Sequence, residues 1–113
     1  MQVFAALADP TRRQIVELLA QRNRLSVAHI NAQFHVSAPA ISQHLRVLRE
    51  AKLVRVEARA QQRLYSLDPD GVGEIEHWVQ TLHQQWTDRF DALDRLLLQE
   101  MKKAKSAKKE RKP

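Results

Sequence analysis

The chain has 113 residues and a formal charge of +6, enough for one ordinary domain with a modest core. It has no cysteine, which excludes disulfides, thiolate metal sites and a cysteine nucleophile. No apolar run approaches the roughly 20 residues that span a bilayer and no signal peptide is visible, so a soluble, cytoplasmic protein without a membrane partner is expected.

Residues 4–7 read as a short first helix that stops before Asp9-Pro10. Asp9 is a good N-cap, and Pro10 falls at the first helical position, where its missing N–H costs nothing. The second helix is predicted over 10–21, with Ile15, Val16, Leu18 and Leu19 inward and Arg12 and Arg13 outward. Ser26 caps a third helix that turns Val27, Ile30 and Phe34 inward, and Val36 is expected to pack in the turn that follows. Ser37 caps a fourth helix, and Pro39 is tolerated because it lies in the first turn. Ile41, Leu45 and Leu48 follow an i, i+4, i+7 pattern that marks the buried face, leaving Ser42, Gln43, Arg46 and Arg49 outside it.

Leu53, Val54 and Val56 begin a strand, and Arg63, Tyr65 and Leu67 return with period-two alternation. The turn over 58–62 contains no glycine, so a longer, mobile tip is expected. Asp68-Pro-Asp-Gly71 reads as a turn in which proline presets one dihedral and glycine supplies the awkward one. A last helix is predicted over about 72–102. Val72, Ile75, Val79, Leu82, Trp86, Phe90, Leu93 and Leu97 recur along it at three- and four-residue steps, widened by Trp78 and Leu96. Nothing follows that could cover this stripe, so a partner is implied. Residues 102–113 are low-complexity and lysine-rich and are expected to form a disordered tail, leaving 1–101 as one domain.

The pattern is that of an α+β, mostly helical winged helix-turn-helix with a long C-terminal helix that needs a partner. Its fourth helix has the shape and chemistry to enter a major groove of double-stranded DNA. Charge is distributed accordingly. Residues 1–67 hold ten basic against four acidic residues, 68–101 two against eight, and 102–113 seven against one. A basic head above an acidic helix suits nucleic acid better than the net charge does, and the tail could add non-specific DNA affinity.

The candidate groove contacts are Ser37, Ala38, Pro39, Ser42 and Gln43. Gln43 is able to bond an adenine edge bidentately. Arg46 and Arg49 are candidate phosphate contacts, with surface pairing to Glu50 as the alternative. Arg59, Gln62 and Arg63 sit at the wing, where they could reach the backbone or an adjacent minor groove. For Arg63 the alternative is a cross-strand pair with Glu57. His44 lies beside Leu45 and reads as a packing or hydrogen-bonding residue, whereas His29 and His35 read as surface.

Together the segments Leu7-Ala-Asp-Pro-Thr-Arg-Arg13, Leu25-Ser-Val, Val36-Ser-Ala-Pro-Ala-Ile-Ser-Gln-His-Leu-Arg-Val-Leu48 and Arg63-Leu-Tyr-Ser-Leu67 resemble the ArsR family of bacterial winged-helix repressors. The resemblance implies a homodimer whose first and last helices pack on their symmetry mates, here through Phe4, Leu7, Val79, Leu82, Trp86, Phe90, Leu93 and Leu97. It also implies binding to an inverted repeat at a promoter, usually with repression.

The chain departs from the family's metal sensors. Where these carry Cys-x-Cys, it has Leu25-Ser-Val-Ala-His29. On the last helix Glu74, Glu76, His77 and His83 do not reproduce the family's acid-x-His spacing, and six residues set the two histidines about 240° apart. No metal or cofactor is expected, and an organic effector remains unidentified. No glycine-rich phosphate loop, nucleophile and base, or carboxylate pair suggests an enzyme. Two alternatives stand beside the DNA-binding regulator: an effector- or metal-responsive sensor of the same fold, and a winged-helix protein–protein module.

Overall fold

The computed structural model describes residues 2–110, with side chains to 106. Its elements are α1 (Gln2–Ala6), α2 (Pro10–Arg22), β1 (Arg24–Ser26), α3 (Val27–Ala32), α4 (Ala38–Glu50), β2 (Val54–Arg59), β3 (Gln62–Leu67) and α5 (Pro69–Glu110). They form two compact units, the first up to Glu76 and the second from His77.

Three of the helix starts are set by side-chain caps. Asp9 accepts from the Arg12 N–H at 3.0 Å, Ser26 from the His29 N–H at 3.3 Å and Ser37 from the Ala40 N–H at 3.3 Å. Each cap satisfies one of the amides that a helix start leaves without a partner. The core of the first unit joins Ile15 and Leu19 of α2 to Ile30 of α3, to Ile41, Leu45 and Leu48 of α4, and to Val54 and Tyr65 of the sheet. Burying each such aliphatic side chain stabilises the fold by about 1.5–3 kcal/mol.

The sheet has three antiparallel strands in the order β1-β3-β2, one more than the sequence suggests. Three residues are too few for β1 to show a period. Pairing supplies it, with Leu25 opposite Tyr65 and Ser26 opposite Leu64. In the hairpin Val54 faces Leu67, Val56 faces Tyr65, Ala58 faces Arg63 and Arg59 faces Gln62. The tip is therefore a tight two-residue turn of Ala60 and Gln61, not the longer one expected. Ala60 takes a φ of 54° in place of the missing glycine.

Other expectations are corrected. Val36 is 42% exposed and not packed in its turn. Arg12 is folded inward, where its Nε donates to the Ala6 carbonyl at 2.6 Å. Gly71 has no positive φ and belongs to α5, whose first residue is Pro69 and not Val72. The Asp68 carboxylate accepts from the Asp70 N–H at 3.0 Å, repeating the Asp-Pro start of α2.

Glycine is needed at 71 because its N–H donates to the Lys52 carbonyl at 2.8 Å, and an added Cβ would sit on that carbonyl. Lys52 itself ends α4 with a φ of 59°. The Lys52 N–H donates to Arg49 and the Leu53 N–H to Leu48, each at 3.0 Å. This is a Schellman end built without glycine.

In the second unit α5 runs on to Glu110, so residues 102–110 are helical where disorder is expected; 111–113 lie outside the described residues. Lysine and alanine are good helix formers, and Lys103 pairs with Glu100 at 4.0 Å one turn back. Trp86 and Phe90, also one turn apart, stack with ring centroids 5.6 Å apart.

Candidate nucleic-acid interface

The first turn of α4 is held in place by its cap and exposed on its outer side. Ser37, Ala38 and Pro39 are exposed, as are Ser42 and Gln43. The opposite face of the helix carries Ile41, Leu45 and Leu48, each at most 1% exposed, so packing alone fixes the rotation at which Gln43 points outward. The Ser37 hydroxyl is engaged by its own helix and retains acceptor capacity for an incoming donor.

The strand register decides where the wing's arginines go. Arg63 lies opposite Ala58 and on the same face as Tyr65, so it is not the cross-strand partner of Glu57. Glu57 instead reaches Arg24 and Arg59, each at 3.6 Å. Arg63 then lines an open cleft of about 550 Å³ together with Ser42, Arg46 and Arg49 of α4. Val27, Leu45, Tyr65 and Glu50 line it as well. Arg59 and Gln62 sit beyond this cleft, opposite one another at the hairpin tip.

Among the described residues Arg49 and Arg63 make no ion pair, whereas Arg46 Nε donates to Glu50 Oε1 at 3.2 Å. The arrangement can grip an anion between helix and wing while leaving the start of α4 available to base edges.

Arg12 is the residue that the sequence pattern misplaces. Besides the Ala6 carbonyl, its guanidinium lies 3.4 Å from His44 Nδ1, and that nitrogen is 3.9 Å from the Asp9 carboxylate. One cluster thus ties the end of α1 and the start of α2 to α4. The Arg12 N–H holds the Asp9 carboxyl below the usual carboxylate range; partial desolvation opposes this, and the charges of His44 and Arg12 add to it. His44 therefore makes polar contacts, and His29 accepts or donates at 2.8 Å with buried Ser26.

Of the residues expected at a dimer interface, Phe4 and Leu7 are half-buried, and Leu7 packs against the core of its own chain. Val79, Leu82, Trp86, Phe90, Leu93 and Leu97 are between 39% and 56% exposed along α5. Leu98 and Met101 are exposed as well and extend the apolar surface beyond the residues singled out in the sequence. Among the described residues no helix is long and apolar enough to cross a membrane.

A capped recognition helix, a basic hairpin beside it and an anion-ready cleft between them define a winged helix-turn-helix DNA-binding protein. Residues 9–56 match the model of the bacterial regulatory protein family arsR. The HTH-type transcriptional regulator Rv2034 of Mycobacterium tuberculosis is 45% identical over 74 residues, 66% of this chain and 68% of that protein. The transcriptional repressor SdpR of Bacillus subtilis is 34% identical over 77 residues, 68% of this chain and 84% of that one. The homodimeric winged helix-turn-helix DNA-binding domain of Mb0332 from Mycobacterium bovis superposes with a TM-score of 0.60 at 26% identity, covering 74% of this chain and 77% of that one. The chain belongs to the ArsR family of bacterial transcriptional regulators.

Proposed function

We propose that the protein is a cytoplasmic homodimeric repressor that reads an inverted repeat in double-stranded DNA. The observation that carries this is the convergence of Ser42, Arg46 and Arg49 from α4 with Arg63 from β3 on one open cleft. Phosphate contacts by the arginines set the register of the protein on the duplex. Ser42 and Gln43 then face base edges, with Ser37, Ala38 and Pro39 at the groove wall and Arg59 and Gln62 at the adjoining backbone. The exposed stripe of α5 and the half-buried Phe4 supply the dimer contact, and a dimer presents two recognition helices roughly 34–36 Å apart. The repressor name of SdpR and the homodimeric state of the Mb0332 domain support the reading.

The test is selection of genomic fragments by the purified protein, with affinity followed against salt. One enriched inverted repeat, bound as a dimer, is expected. Selection of no preferred sequence would leave only electrostatic binding and overturn the reading. Gln43→Ala is expected to cost about 1–3 kcal/mol of discrimination at one base pair of each half-site while binding to unrelated duplexes stays unchanged. An unaltered preference in that variant would remove Gln43 from base reading.

A further inference from the structure

The recognition helix carries a carboxylate on its outward row. Pro39, Gln43, Arg46 and Glu50 succeed one another at steps of four, three and four residues, so they share one face. That face lies away from the buried Ile41, Leu45 and Leu48. Glu50 is 63% exposed on its side chain and reaches Arg46, 77% exposed, at 3.2 Å. Both line the cleft that Arg49 and Arg63 also enter. Three guanidinium groups around one open concavity are suited to a phosphodiester, which offers charged acceptor oxygens to several N–H donors at once. The one carboxylate in the cleft already occupies an N–H of Arg46.

We propose that this cleft seats a single backbone phosphate of bound DNA and that Glu50 is its built-in competitor, holding Arg46 until a phosphate oxygen takes the place of the Glu50 carboxylate. The inference rests on the DNA-binding reading and assigns within it a residue that weakens binding. Glu50 acts on the phosphate through Arg46, so it lowers affinity for every duplex by a similar factor. It thereby limits capture by non-specific DNA, whose attraction is almost wholly electrostatic.

Glu50→Gln keeps side-chain size and helix propensity while removing the charge. With the full chain, binding to the selected repeat and to a scrambled duplex is expected to tighten by about fivefold at low salt, the upper range for breaking an exposed pair. The salt slope is expected to change by less than the about 0.9 that one more neutralised phosphate would add, because the same phosphate is seated in both proteins. The gain should vanish in an Arg46→Ala background and on a duplex whose contacted phosphate is a neutral methylphosphonate.

An equal gain in the Arg46→Ala background would show a general charge effect and overturn the proposal. Unchanged or weaker binding by a Glu50→Gln protein with native circular dichroism would do the same. Tighter binding of inorganic phosphate without tighter binding of duplex would assign the seat to a free anion and overturn its assignment to DNA. Failure of the wild type to select a repeat fails the regulator reading. A wild type that selects one, with no gain from Glu50→Gln, fails this proposal alone.

Discussion

At Asp9 one carboxylate caps α2 and lies within 3.9 Å of His44 on α4. Its pKa is lowered from the ordinary 3.8, first by the Arg12 N–H and then, against some desolvation, by neighbouring positive charge. The direction fixes the sign of the linkage. Stability from this group is fully present above the ordinary carboxylate pKa and is lost as pH falls through the lowered folded value. Thermal melts taken through that acid range should show a smaller fall for Asp9→Asn, which retains a capping oxygen but cannot titrate. Parallel curves for the two proteins would take Asp9 out of the acid response. Gly71 makes a second residue-scale case, because what it needs is space and not a left-handed dihedral. Gly71→Ala would drive a methyl onto the Lys52 carbonyl and against the Leu53 Cα, both backbone. A loss of about 1–3 kcal/mol is expected in urea unfolding, the usual cost of overpacking.

Among the elements, the wing shows where sequence and structure part. Caps and apolar periods are local, so Asp9, Ser26, Ser37 and the row of Ile41, Leu45 and Leu48 are legible from the chain alone. The cleft is not legible, because it exists only through the register that sets Arg63 opposite Ala58 and the packing that brings its face to α4, leaving Glu57 to Arg24 and Arg59. β1 and the inward Arg12 are likewise products of tertiary pairing. Low lysine-rich complexity hides the helix beyond residue 102, since the same residues that suggest disorder are good helix formers. The hairpin tip inverts the usual inference: no glycine is present, yet the turn is tight. Ala60 bears the positive φ because strands paired up to Arg59 and Gln62 leave only two residues for the turn. Left-handed backbone costs an L-residue about 1–2 kcal/mol, and glycine returns part of that as unfolded-state entropy. Ala60→Gly should therefore raise stability by up to about 1 kcal/mol, read as a higher midpoint in thermal unfolding with no change in DNA preference. A lower midpoint would mean that the alanine is not strained there.

At the scale of the whole molecule, the exposed large apolar side chains among the described residues lie, apart from Val36, along α5. A helix of 42 residues gains little from propensity alone, and most helical stability in proteins comes from packing of an apolar face. Here Trp86, Phe90, Leu93 and Leu97 are each at least half exposed within one chain. An apolar row of this length is what a second copy would cover, and covering it converts two weak half-site contacts into one bivalent contact. Leu93→Asp places a carboxylate in the middle of that row, where a covering copy would bury it against apolar side chains. Sedimentation should show the variant as a monomer and the wild type as a dimer. Affinity for the full repeat should fall by about 100-fold or more, while affinity for an isolated half-site stays close to that of the wild type. Circular dichroism of the capped helices should persist, because the core of the first unit lies among residues up to Tyr65 and does not include Leu93. A Leu93→Asp protein that still sediments as a dimer would place the contact elsewhere, and the linkage between α5 and operator affinity would have to be abandoned.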